Sequence, residues 1–140
     1  MVLYVLSQIW KFGGVIERLS DGQLELKNHK NIPVEVLKAA EPIFDDIDAY
    51  LKSVEGMNVI DRFTWNIVAV SAGWQKNENI DIFFRNDEKV VDLFYRYTTI
   101  LALNGWVNSY QDWRQYENDE SIKLKNEIYA RAVAFAKGAK

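Results

Sequence analysis

Apolar residues at positions 2, 5, 6, 9 and 10 recur with helical spacing, so Val2 to Lys11 is predicted to be a helix that stops at Gly13-Gly14. Beyond the glycines the period falls to two. Val15, Glu17 and Leu19 alternate with Ile16 and Arg18, and Gln23 to Leu26 forms a second run after Asp21-Gly22. This pattern predicts a β-hairpin with one mostly apolar face. A polar stretch, Lys27 to Asn31, leads to Pro33, which suits the first turn of a helix, with Glu35 near its positive end and Val36, Leu37 and Ala40 inward. Pro42 lacks a backbone donor and should break or kink that helix. A further helix then carries Ile43, Phe44, Ile47, Tyr50 and Leu51 on one stripe, with Asp45, Asp46 and Asp48 read as solvated. Gly56 marks an expected boundary between a unit at 1–54 and a unit at 57–140.

The second half is less regular. Ile60, Phe63, Ile67, Val68 and Ser71 fit a helix ending at Gly73, and Trp74 to Asn79 reads as a loop. Ile80 to Phe84 suits either a short strand or the lead-in to a helix. Asn86 or Asp87 can cap the next helix, whose stripe is Val90, Val91, Phe94, Tyr97 and Leu101 and whose stop is Gly105. Asp119 or Ser121 starts the final helix, with Ile122, Ile128, Tyr129, Ala132 and Phe135 inward. The fold class that follows is α+β and mainly helical: an N-terminal helix–β-hairpin–helix–helix unit packed on a C-terminal helical unit.

Composition narrows the chemistry. The chain is 49% hydrophobic and 14% aromatic, enough to fill a core and to leave aromatics for an interface. Its net charge is −3, and its 17 basic residues form no polybasic run, which disfavours a nucleic-acid grip. Without cysteine there is no disulfide, thiolate zinc site or thiol nucleophile. No stretch approaches the roughly 20 apolar residues of a membrane span, and a cytoplasmic location is expected. His29 is the only histidine and lies in a polar stretch, so it reads as a surface residue. The spacing of Asp45, Asp46 and Asp48 splays them on a helix, and the calcium-loop pattern is absent. No phosphate-loop or dinucleotide motif occurs. Neither a metal, a cofactor nor a catalytic activity is expected.

Two features remain as candidate partner sites. The first is the free edge of the hairpin, because unpaired strand edges recruit partners. Proline at Glu25 is expected to remove a donor from that edge. The second is Trp106, Tyr110, Trp113 and Tyr116, spaced roughly as on a helix, with Arg114 nearby. Three readings of that cluster stay open: core, a protein interface anchored by Trp, Tyr and Arg, or a stacking platform for single-stranded nucleic acid.

The first half also resembles the N-terminal docking domains of megasynthase subunits of the TubC type. The resemblance covers about residues 1–54 and rests on Gly14-Val15, Asp21-Gly22, Leu24-Glu25-Leu26 and Ile32-Pro33-Val34-Glu35-Val36-Leu37. It implies a domain that dimerises and captures a partner's terminal peptide as an added strand. By position, Leu24 to Leu26 would form the groove, with Lys27 and Lys30 reading charge. The expectation is therefore a non-catalytic protein-recognition module. Its partner site comprises Leu24, Glu25, Leu26, Lys27 and Lys30, aided by exposed Trp106, Tyr110, Trp113 and Arg114. A homodimer is expected, since a free edge also pairs with a twofold copy. The second reading is a small phage or mobile-element accessory protein that inhibits a host factor or aids a nucleic-acid machine.

Overall fold

A computed structural model describes residues 1–138. Its elements run α1 (Val2–Lys11), β1 (Val15–Arg18), β2 (Leu24–Lys27), α2 (Val34–Ala40), α3 (Phe44–Glu55), α4 (Val59–Ser71), α5 (Glu78–Asn86), α6 (Glu88–Leu103) and α7 (Asp119–Ala136). Short 3-10 turns occupy His29–Asn31, Glu41–Ile43 and Trp113–Tyr116. The fold is mainly helical α+β, and among the described residues the one sheet is the antiparallel pair β1–β2. No described helix is long and apolar enough to cross a membrane.

Helices α4 to α7 begin where short polar side chains replace the missing intrahelical acceptors. Asn58 caps α4, Asn77 caps α5, Asp87 caps α6, and Asn118 caps α7 in a reciprocal capping box with Ser121. Asn118, rather than Asp119 or Ser121, is thus the start signal of the last helix. Ile80 to Phe84 is helical: Asn77 Oδ1 accepts from the Ile80 amide at 3.1 Å, and Ile80 and Phe83 turn inward together. Pro42 divides α2 from α3 through the Glu41–Ile43 turn.

Two clusters of buried side chains hold these elements. The smaller joins Val5, Leu6 and Ile9 of α1 to Ile32 and to Ile47 of α3, and Ile16, Leu24 and Leu26 pack against it. The apolar face of the hairpin is therefore Ile16, Leu24 and Leu26, whereas Val15 and Leu19 are exposed. Gly14 is buried because the chain passes so close to α1 that a Cβ there would lie 2.7 Å from Ile9 Cγ2 and from Ile32 Cδ1. The larger cluster is built by α4–α7 and includes Leu3 and Val54 from the first half. Trp10 and Tyr50 pack against both clusters. Trp10 meets Trp65 edge-on at 5.7 Å, and Trp65 Nε1 donates to Tyr50 Oη at 2.9 Å. Burial raises the Tyr50 hydroxyl to about 12, against the opposing hydrogen bond from Trp65.

Three stripes are rotated from the expected ones. Phe44, Val91 and Ile122 are exposed, while Val54, Leu93 and Lys125 are buried. Lys125 is the instructive case. Its Nζ donates to Asp61 Oδ1 at 2.6 Å and to Glu117 Oε1 at 3.0 Å, and lies 5.6 Å from the Trp113 ring centroid. Tyr97 Oη donates to Glu117 Oε2 at 2.8 Å, and burial foremost, then Glu117, pushes that hydroxyl far above its ordinary value. One ammonium thus ties α4, α7 and the segment after Trp113 together. Removing it leaves two carboxylates facing each other, so Lys125→Ala should cost about 3 kcal/mol of stability. Urea unfolding followed by tryptophan fluorescence measures that loss.

The α6 cap gives a pH-dependent prediction. Asp87 accepts from its own helix and from Arg131 at 2.9 Å, and Arg131 foremost holds the Asp87 carboxyl below its ordinary 3.8. A folded-state value lowered in this way gives stability that is present above pH 3.8 and lost as pH falls through the lowered value. Asp87→Asn keeps a capping oxygen but removes the charge. Its deficit in urea midpoint should be full at pH 7 and shrink towards pH 2.

Candidate docking edge

The turn sets which way the hairpin's backbone points. Gly22, at φ +89°, donates to the Leu19 carbonyl at 2.9 Å, and the Leu19 amide donates to the Gln23 carbonyl at 2.7 Å. Ser20, Asp21 and Gly22 therefore form a three-residue loop closed by a type I turn with a bulge at glycine. Asp21 Oδ1 secures it by accepting from the Gln23 amide at 3.0 Å. Leu19 with Gln23 is a hydrogen-bonded pair, and such pairs alternate along an antiparallel ladder. In the observed register the Glu17–Glu25 and Val15–Lys27 pairs then share the ladder bonds. Ile16 and Arg18 on β1, and Leu24 and Leu26 on β2, direct their amides and carbonyls outward. Proline at Glu25 would remove a ladder donor rather than an edge donor. The free donors of β2 are those of Leu24 and Leu26.

The hairpin is clamped to α3 from the turn end. Arg18 Nε bonds both oxygens of Glu55 at 3.0 Å, and Arg18 Nη1 donates to the Gly22 carbonyl at 2.9 Å. Arg18 Nη2 lies 2.8 Å from Asp48 Oδ1 without hydrogen-bond alignment. Glu55 foremost, then Asp48, raises the Arg18 guanidinium, and Arg18 in turn lowers the Asp48 carboxyl. Asp48 is thus a structural partner, not a solvated side chain like Asp45 and Asp46. The 3-10 turn His29–Asn31 exposes both His29 and Lys30.

An apolar groove of about 150 Å³ runs beside β2. Ile9, Leu24, Leu26, Leu37 and Phe44 line it, and Glu25 and Glu41 complete its wall. Phe44 is 43% exposed, which is high for a large apolar side chain on a groove wall. Of the expected charge readers, Lys27 is engaged by Glu17 at 2.8 Å, and that contact foremost raises its ammonium. Glu25 and Glu41 take part in no salt bridge among the described residues.

The aromatic segment is not a helix and not an exposed face. Trp113 is 3% exposed, and Trp106 and Tyr110 are half-buried against the larger core. Tyr110 stacks on Trp74 at 6.4 Å and meets Tyr4 edge-on at 5.2 Å. Gln111 organises the loop: its Oε1 accepts from the Val107 and Asn108 amides, its carbonyl accepts from Trp106 Nε1, and its Nε2 donates to Tyr116 Oη. Arg114 pairs with Asp112 at 2.7 Å and reaches Ser53 at 3.3 Å. Tyr110 and Arg114 thereby join the two halves of the chain. The helical spacing of the aromatics arises from convergence on one core, and the turn formers Asn108 and Asp112 were the sequence signal for a loop. Among the described residues no group of three His, Cys, Asp or Glu side chains is placed to hold a metal ion. No family model, curated protein or solved structure matches this chain.

The hydrogen-bond parity is open to direct measurement. In the free protein the Leu24 and Leu26 amides should exchange with solvent deuterium at least about ten times faster than those of Glu25 and Lys27, since they lack a ladder partner. Equal protection along β2 would contradict the assignment.

Proposed function

We propose that this chain is a protein-recognition module that takes an extended segment of a partner as a third strand on β2. One observation carries the reading: the outward amides and carbonyls of Leu24 and Leu26 lie directly beside an apolar groove. Strand addition draws affinity from main-chain hydrogen bonds and specificity from pockets for alternate side chains. β2 offers outward main-chain groups and one apolar pocket, which supports this reading, and on it the resemblance of residues 1–54 to TubC-type docking domains reflects a shared binding mode. The aromatic segment is left out of the site because its side chains are committed to the core.

The variant that tests this edge is Leu26→Pro, which removes an outward donor and keeps every ladder bond. Because the Leu26 side chain also packs on the smaller cluster and lines the groove, Leu26→Ala, which keeps the donor, is the packing control and should retain more of the capture. An added-strand hydrogen bond contributes about 1 kcal/mol, so Leu26→Pro should weaken capture of the partner roughly fivefold or more. The measurement is affinity capture from native lysate, quantified by mass spectrometry, with far-ultraviolet circular dichroism confirming the fold. Trp106→Ala serves as the contrast and should leave capture unchanged in protein that remains folded. A partner retained by Leu26→Pro and lost by Trp106→Ala would overturn the reading.

A further inference from the structure

The groove and its rim also select the chemistry of the incoming strand. Resting on the edge-docking reading above, we infer that the partner segment is basic and aliphatic: an extended peptide that inserts one branched aliphatic side chain and carries Lys or Arg beside it. Size argues the first half. A hollow of 150 Å³ lined by Leu, Ile and Phe side chains is the size that holds one benzene ring when empty of water. It therefore takes one large apolar side chain, not two. The outward parity of Leu24 and Leu26 places an added strand where alternate side chains face this hollow.

Charge argues the second half. Glu25 and Glu41 both border the groove, Glu25 from β2, with its side chain on the face it shares with Glu17, and Glu41 from the turn before α3. Both are exposed and neither takes part in a salt bridge among the described residues. Glu25 faces Glu17 directly across the hairpin, and Lys27 is already taken by Glu17. Like charges opposed on one sheet face are destabilising, and one Lys27 ammonium serves both Glu17 and Glu25, so a second cation arriving beside Glu25 adds a pair that the hairpin lacks. An acidic strand would meet Glu41, which pairs with no cation among the described residues, and Glu25, which shares the single Lys27 ammonium with Glu17. The positive side chains that position alone would offer as readers do not decide the sign: Lys27 is paired, and Lys30 is not part of the groove wall.

The test uses the full chain, labelled with nitrogen-15, and two acetylated, amidated hexapeptides: Lys-Ile-Lys-Ile-Lys-Ile and Glu-Ile-Glu-Ile-Glu-Ile. The Lys peptide should bind roughly tenfold tighter than the Glu peptide, shifting the Leu24 and Leu26 amides, because two attractive rim contacts replace two repulsive ones. Glu25→Lys with Glu41→Lys should reverse the preference in protein whose remaining spectrum is unchanged. Equal binding, or a preference unmoved by the double variant, with Leu24 and Leu26 still shifting, would overturn the charge inference and leave edge docking standing. Absence of any shift at Leu24 and Leu26 with either peptide would overturn both. Protection of those two amides that rises with protein concentration alone would show the edge closed by a second copy, which also overturns the inference.

Discussion

A two-stranded hairpin cannot satisfy its own backbone. Half of the amides and carbonyls in each strand point away from the partner strand, and the pair is too small to hold together in water without a packed face. Everything in the first half of this chain answers those two demands. Ile16, Leu24 and Leu26 bury the inner face on α1 and α3, Gly14 lets the chain run close beneath Ile9, and Arg18 ties the turn end to Glu55 and Asp48. The packing fixes the hairpin but does nothing for its outer edges. The edge of β2 is left beside an apolar groove with two carboxylates, and the proposed function is the use of that leftover valence.

A docking edge needs a rigid support, because a partner strand must meet preset donors rather than order them on arrival. On the proposed function, the second half supplies it. Trp10 and Tyr50 belong to both packed clusters, and the Trp65–Tyr50 hydrogen bond spans them. Behind this seam, Lys125 holds Asp61 and Glu117 in one buried charge group, with Trp113 against the ammonium. The aromatic richness of the chain is thus spent inside. Trp74, Tyr110, Trp106 and Trp113 stitch the segment between α6 and α7 onto the core.

The hairpin and its turn were legible from Gly13-Gly14 and Asp21-Gly22, because those dipeptides impose local geometry. The break at Pro42 and the cap at Asp87 were legible for the same reason. Features set by distant partners were not. Lys125 reads as a surface lysine until Asp61, far away in the chain, is brought beneath it. The inward turn of Leu93 instead of Val91 is a rotation of the α6 stripe that only its neighbours decide. The candidate site divides likewise. Leu24 to Leu26 could be picked out by pattern, but which of their amides face outward depends on how the loop closes at Leu19 and Gln23. Glu41 joins the site only because the chain turns after α2, and no sequence pattern links it to Glu25.

Docking at β2 rests on a set of hydrogen bonds, and scalar couplings measured across hydrogen bonds by nuclear magnetic resonance report them one by one. The measurement is made on the labelled chain saturated with its bound partner segment. Couplings should join the Leu24 and Leu26 amides and carbonyls to the partner, with the Glu25 amide still coupled to β1. Couplings from the partner to Ile16 and Arg18 instead, or none to the hairpin at all, would contradict docking at β2.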